Sequence, residues 1–322
     1  MKLPTCGGAR HGQGIFPLHH VILEPALIMS HSIKRKSPPL SPGSADKEAL
    51  GKAEDRPRKK GKQRDQPRRE PRPKLPTRTY YLPFVLGGSH WRGKNSLETI
   101  VIFGDSYSKP NEVDDESDTW VEHVARRSRK ESPIRVSNFA FPGATVEDDL
   151  SRQFLSFTRG LRGVPLDSER TTYFIYLGIN DCGRTPSDDL EPMVEAVFDI
   201  LHDLYTKFSA RNFVLIDVPP IDRSAGAMES NSIDDIKERV RTWNELLRTQ
   251  ANDFAKGSIK ATVFIFSSHH VLTEVLDKPL DFDFAEGDPE TEGAGIWADE
   301  LHLTSAVHAI FAEYLWNSLV EP

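Results

Sequence analysis

Three side chains that can activate one another stand far apart in this chain. Ser106 closes Phe103-Gly104-Asp105-Ser106, directly after an apolar run, and Asp299-Glu300-Leu301-His302 lies far downstream. A serine hydroxyl ionises well above neutral pH, so it attacks a carbonyl carbon only with a base beside it. That base must in turn be held in one tautomer by a third group. Serine, histidine and aspartate supply the three roles. Asp299 sits three residues before His302, so its carboxylate can reach one ring nitrogen while the other faces the serine. Glu300, two before the histidine, points elsewhere in most backbones.

Each motif also has a purely structural reading. Asp-Ser is common at turns and helix caps, and Asp and His three apart form surface pairs on helix ends. Two further strand-end motifs add chemistry. In Asn138-Phe139-Ala140-Phe141-Pro142-Gly143-Ala144-Thr145 a glycine before a helix can aim its N–H at an oxyanion. An ordinary turn capped by Thr145 is the bland alternative. In Gly178-Ile179-Asn180-Asp181 the Asn180 amide can donate to the same oxyanion, although asparagine also favours turns for its own backbone reasons.

The elements that must carry these residues are readable from residue 97 on. Residues 99–104, 134–140, 172–177, 212–217 and 261–266 are short, continuous apolar runs, as expected of strands covered on both faces. Helical periods occupy 120–129, 146–158, 190–208, 233–254 and 305–319, with Thr304 or Ser305 capping the last. The alternation predicts an α/β fold, a three-layer doubly wound sheet of about five parallel strands. Such sheets bind ligands beyond the carboxyl ends of their strands. Ser106, Gly143 and the 178–181 motif all fall at such ends, and that convergence says more than any one of them.

The first part of the chain is different. Residues 1–92 hold about 19 Lys/Arg against about 7 Asp/Glu, whereas the whole 322-residue chain has a net charge of −7. The expected organisation is a basic, Pro-rich, disordered extension over 1–92 and a globular domain over 93–322. Lys34-Arg35-Lys36 and Arg56-Pro57-Arg58-Lys59-Lys60 resemble anion-binding or nuclear-import patches, with a solvated linker as the simpler reading. The apolar run 21–29 is broken by Glu24 and Pro25; it is too short for a membrane span and does not resemble a signal peptide. With Cys6 and Cys182 as the only cysteines, an intracellular location is expected, and secretion if the N-terminus is different from that given.

Taken in order, Gly104-Asp105-Ser106, Gly143, Gly178-Ile179-Asn180-Asp181 and Asp299-Glu300-Leu301-His302 resemble the four blocks of the SGNH (GDSL) hydrolase superfamily, across roughly residues 97–320. The longer strings Phe103-Gly104-Asp105-Ser106-Tyr107-Ser108, residues 138–149 and Trp297-Ala298-Asp299-Glu300-Leu301-His302-Leu303-Thr304 look like the fungal acetylesterases of carbohydrate esterase family 16. The resemblance implies a flavodoxin-like fold with Ser106 as nucleophile, His302 as base and Asp299 as its partner. It implies an oxyanion hole of the Ser106 and Gly143 N–H groups and the Asn180 side chain. It also implies no metal or cofactor, and an acetyl ester of carbohydrate as substrate. The basic extension departs from the family pattern.

The remaining singled-out residues have structural readings. Asp105 and Asp181 suit turn-fixing, residues 218–222 a rigid wall, and Trp243-Asn244 a buried helix face. His269-His270, after the fifth strand, lack the further ligands a metal needs, and Cys182 lacks a base. The acidic, aromatic stretch 281–297 reads as a surface loop or a wall near Asp299. Two other functions are open to the same residues. One is a lipid acyl hydrolase or thioesterase, because a triad does not fix acyl length. The other is an inactive binding or scaffold protein using its basic extension. The expected partners are a small-molecule or oligosaccharide ester, with neither a membrane span nor nucleic acid, and the expected state is a monomer.

Overall fold

Strand β1 is only three residues long, Phe84–Leu86, and precedes the first of the expected strands. In this computed structural model the described residues are 81–88, 90–109, 118–127, 133–161, 166–230 and 232–319. The expected extension up to residue 80, including both basic patches, lies outside them. β1 pairs antiparallel with the last strand, Phe84 opposite Ile265, and Tyr81, Leu82 and Trp91 are buried. The globular body therefore takes in residues that charge alone assigned to the extension. Charge marks where solvated sequence dominates on average, and it misses a short segment held by main-chain pairing.

The other strands are β2 (Thr99–Gly104), β3 (Arg135–Asn138), β4 (Thr171–Tyr176), β5 (Asn212–Ile216) and β6 (Thr262–Phe266), all parallel to one another. The sheet order is β1-β6-β5-β4-β2-β3. The five predicted strands are thus present, joined by an antiparallel edge strand. The chain leaves β2 toward β3 on one side and returns to β4 on the other. Ligand sites in open α/β sheets form at that reversal.

The helices are α1 (Trp120–Ala125), α2 (Ser151–Leu161, preceded by a π-helical turn Val146–Leu150), α3 (Ile179–Arg184), α4 (Glu191–Lys207), α5 (Ala225–Glu229), α6 (Ile233–Gly257), α7 (Ser268–Asp277) and α8 (Ser305–Ser318). Neighbouring strand residues point to opposite faces, and β4 shows both layers. Its Tyr173 meets Phe157 of α2, while Phe174 meets Trp120 of α1. Phe213 likewise meets Phe254 of α6, and Phe266 meets Phe311 of α8. β2, β4, β5 and β6 are buried throughout, which explains their unbroken apolar runs. Among the described residues no helix is long and apolar enough to cross a membrane.

Candidate active site

The exit from β2 is held from several sides. Gln153 of α2, itself buried, accepts from the Gly104 N–H at 2.9 Å and donates to the Gly104 carbonyl at 2.7 Å. Asp105 Oδ1 accepts the Tyr107 N–H at 3.0 Å, and the Asp105 carbonyl accepts from the N–H groups of Ser108 and Lys109. Asn138, at the end of β3, donates to the Ser108 carbonyl at 2.8 Å. Ser106 thus sits on a turn fixed independently of its own side chain.

The C-terminal loop is fixed just as firmly. Asp299 Oδ1 accepts the N–H groups of Leu301 (2.8 Å) and His302 (2.6 Å), leaving Oδ2 to face His302 Nδ1 at 2.7 Å. His302 Nε2 lies 2.8 Å from Ser106 Oγ. Burial acts to raise the Asp299 pKa, but the two N–H groups and the imidazole outweigh it and hold the carboxyl below its usual range. The Glu300 side chain takes no part. Its carbonyl accepts the Gly226 N–H of α5 at 2.8 Å, and the neighbouring Leu301 carbonyl accepts the Tyr107 hydroxyl at 2.7 Å. Tyr107 is buried next to the serine, so one side chain ties the turn carrying Ser106 to the loop carrying His302.

Gly143 and Asn180 follow the two strands that flank β2, β3 on one side and β4 on the other. Gly143 has φ 74° and is exposed, so the β3 exit turns there through a conformation other residues resist. Gly178-Ile179-Asn180-Asp181, expected as a turn, opens helix α3 instead. Gly178 is its N-cap at φ 115°, and a Cβ there would lie 2.4 Å from the buried Trp243. Asn180 Nδ2 donates to the Ala144 carbonyl at 3.0 Å, and Asp181 Oδ1 accepts the Val146 N–H at 2.9 Å. These two bonds lace the β3 and β4 exits together. An amide nitrogen carries two hydrogens, so one Asn180 donor is left over. Neither that hydrogen nor the N–H groups of Ser106 and Gly143 have a hydrogen-bond partner among the described residues.

The buried acids flanking these donors are only half satisfied. Asp105 Oδ2 and Asp181 Oδ2 have no hydrogen-bond partner among the described residues, although each residue's Oδ1 does the turn-fixing expected of it. Burial above all, with the Asp181 charge added, pushes the Asp105 pKa up to about 7, against the Tyr107 N–H that lowers it. Burial likewise lifts Asp181 to about 6. An unfolded aspartate ionises near pH 4. Between that pH and about 7 the unfolded chain sheds a proton that native Asp105 keeps, so this residue's contribution to stability falls as pH rises. His308 works the opposite way, since burial lowers its pKa to about 3. Comparing a variant with wild type isolates Asp105. Asp105→Asn, neutral at every pH, is expected to gain about 4 kcal/mol relative to wild type between pH 4 and pH 8. Urea unfolding at the two pH values measures this; a pH-independent difference would show that Asp105 titrates normally.

A second Ser/His/Asp group, at the ends of β5 and β6, is structural. The buried Asp217 carboxylate accepts from Ser267 Oγ (2.7 Å), Ser268 Oγ (3.1 Å) and the His269 N–H (2.9 Å), and the His269 ring does not bond to it. His269 and His270 lie in the first turn of α7, and no metal-ligating group of three occurs among the described residues. Cys182 is buried, which pushes its thiol pKa up and away from nucleophilic use. Asn244 bonds both the N–H and the carbonyl of Val218, holding the wall after β5. Trp297 is fully buried and donates to the Pro289 carbonyl, so it props the Asp299 loop from behind. Tyr107, Gln153 and Gly226 are the positioning residues that sequence reasoning did not find. Only Tyr107, by standing next to Ser106, carried any local signal.

The family model of the GDSL-like lipase/acylhydrolases matches residues 100–315. The chain belongs to that family. An acetylesterase of Thermothelomyces thermophilus is 29% identical over 168 residues, 45% of this chain and 55% of the relative. The match therefore spans about half of that relative's length. Among solved structures, a variant of the acetyl xylan esterase Axe2 from Geobacillus stearothermophilus aligns over 71% of this chain and 96% of its own, at 16% identity and a TM-score of 0.48. A lipase/acylhydrolase from Enterococcus faecalis aligns over 69% and 94%, at 18% identity and a TM-score of 0.41.

Proposed function

We propose that the protein removes acetyl groups from carbohydrate by way of an acyl-enzyme on Ser106. The observation that supports this most is the unbroken chain Asp299 Oδ2–His302 Nδ1 and His302 Nε2–Ser106 Oγ, at 2.7 and 2.8 Å. His302 takes the serine proton as Ser106 Oγ attacks the ester carbonyl, and Asp299 stabilises the imidazolium that forms. The negative charge moves to the carbonyl oxygen, where the unpartnered N–H groups of Ser106 and Gly143 and the second Asn180 hydrogen can receive it. Donors fixed in advance need no reorganisation as charge develops, and one is worth roughly 3–4 kcal/mol of barrier. His302 then protonates the departing alcohol oxygen. Water, activated by the same nitrogen, attacks the acetyl-serine and releases acetate.

The acetyl preference draws on the similarity to the Thermothelomyces acetylesterase. A p-nitrophenyl ester series and a fluorophosphonate probe test the reading together. Covalent labelling of Ser106 is expected, with kcat/KM highest for the acetate and falling with chain length. A maximum at eight carbons or more would assign the protein to lipid esters. A serine that escapes the probe would remove the enzymatic mechanism and favour a binding role.

A further inference from the structure

A groove of about 370 Å³ is lined by Asn180, the candidate oxyanion donor, and by Glu300 and Leu301, which directly precede His302 in the chain. Gly226 and Ala227 of α5 and Arg184 at the end of α3 also line it. Its size falls within the roughly 300–1,000 Å³ of small-molecule sites. An acetyl group needs far less, a volume comparable to that of a water or two at about 30 Å³ each. The groove therefore has room for the other half of an ester.

Its lining indicates which half. Ile221, Ala227 and Ile236 give an apolar wall, whereas Arg184 and Glu300 stand at its polar margins. Both charged side chains are exposed, and neither makes a hydrogen bond or ion pair with a described residue, including each other. A methylene chain laid here would run against a guanidinium and a carboxylate and gain nothing from either. A polyhydroxylated ring matches both features. Its C–H face can lie on the isoleucines, its hydroxyl oxygens can accept from the five N–H donors of Arg184, and its hydroxyl hydrogens can be donated to Glu300. The opposed charges make the pair a reader of hydroxyl groups rather than of ligand charge.

We infer that this groove seats the alcohol portion of the ester, and that Arg184 and Glu300 are specificity-determining residues that recognise sugar hydroxyls. The inference rests on the esterase reading above and goes further by assigning the site of the sugar. Ser230, also in the lining, adds a third hydroxyl-compatible group on the α5 side.

Two acetyl esters with different alcohols make the test: p-nitrophenyl acetate and a mono-acetylated methyl xyloside. Arg184→Ala and Glu300→Ala are each expected to lower kcat/KM for the xyloside at least tenfold more than for p-nitrophenyl acetate, mainly through KM. Arg184→Lys should recover part of the loss. Parallel losses on both esters, or no selective loss on the xyloside, would overturn the assignment, because the residues would then support the fold or do nothing for substrate. A selective loss on p-nitrophenyl octanoate would overturn it too, by placing an acyl chain in the groove. Wild-type protein inactive on every ester would instead fail the esterase reading itself, an outcome distinct from a loss of selectivity.

Discussion

Ser106→Ala is expected to fold as wild type does and to lose essentially all ester hydrolysis. The side chain makes one hydrogen bond, to His302 Nε2. The turn that carries it is held by other groups: Gln153 on Gly104, Asp105 Oδ1 on the Tyr107 N–H, and Asn138 on the Ser108 carbonyl. Removing one hydroxyl of this kind changes stability by about 1 kcal/mol, and the sign can favour the variant, because catalytic groups are seldom placed for stability. The rate consequence is of another order. Without a nucleophile no acyl-enzyme forms, and only the oxyanion donors and substrate binding contribute. In a serine protease studied in this way the loss in kcat is about 10⁶-fold. Hydrolysis of p-nitrophenyl acetate should fall to near background, labelling by a fluorophosphonate should disappear, and the thermal midpoint should stay within about 4 °C of wild type. Retention of most turnover would sink the assignment of Ser106.

The same residues show why much of this site was legible in the sequence and why some was not. Four strands buried on both faces write themselves as continuous apolar runs, and β2, β4, β5 and β6 lie within a residue of their expected limits. Strand β1 carries no such signal. It is three residues long between Pro83 and Gly87, Val85 is 53% exposed, and its pairing partner is nearly two hundred residues away. Helix α3 was hidden for a different reason. Gly178 and Asn180 are turn formers by local preference, and the packing of Gly178 against Trp243, which leaves no room for a Cβ, is a long-range contact that local sequence does not show. Ser106, Gly143, Asn180, Asp299 and His302 were found because each is a reactive or permissive residue type at a strand end or before a helix. Tyr107, Gln153 and Gly226 act through main-chain partners far along the chain. Apart from Tyr107's place next to Ser106, nothing in their own neighbourhoods announces that.

Asp299→Asn separates holding the loop from tuning the base. The asparagine carbonyl can keep accepting the N–H groups of Leu301 and His302, the two bonds that now end on Oδ1. The loop is also gripped by Tyr107 at Leu301 and by Gly226 at Glu300, so its fold should persist. What changes is the atom facing His302 Nδ1, now Oδ2 at 2.7 Å. An amide nitrogen there is a donor, and Nδ1 must become an acceptor. The ring hydrogen then sits on Nε2, pointing at Ser106 Oγ, and the imidazole cannot take the serine proton. The charge that would stabilise the imidazolium is lost as well. The corresponding change in a serine protease lowers kcat about 10⁴-fold, and a loss of that order is expected here with little change in KM, since Asp299 does not line the substrate groove. Asp299→Ala should lose the rate and also some stability, at about 1 kcal/mol for each main-chain bond removed. The acid limb supplies an independent reading. Because the native carboxyl titrates below its unfolded value, the stability it contributes is present above the ordinary aspartate range and is lost as pH falls through the lowered one. Neither variant should show that component. If Asp299→Asn kept its rate within tenfold of wild type, His302 would have to be oriented by some other group, and the carboxylate would be a loop-fixing residue alone.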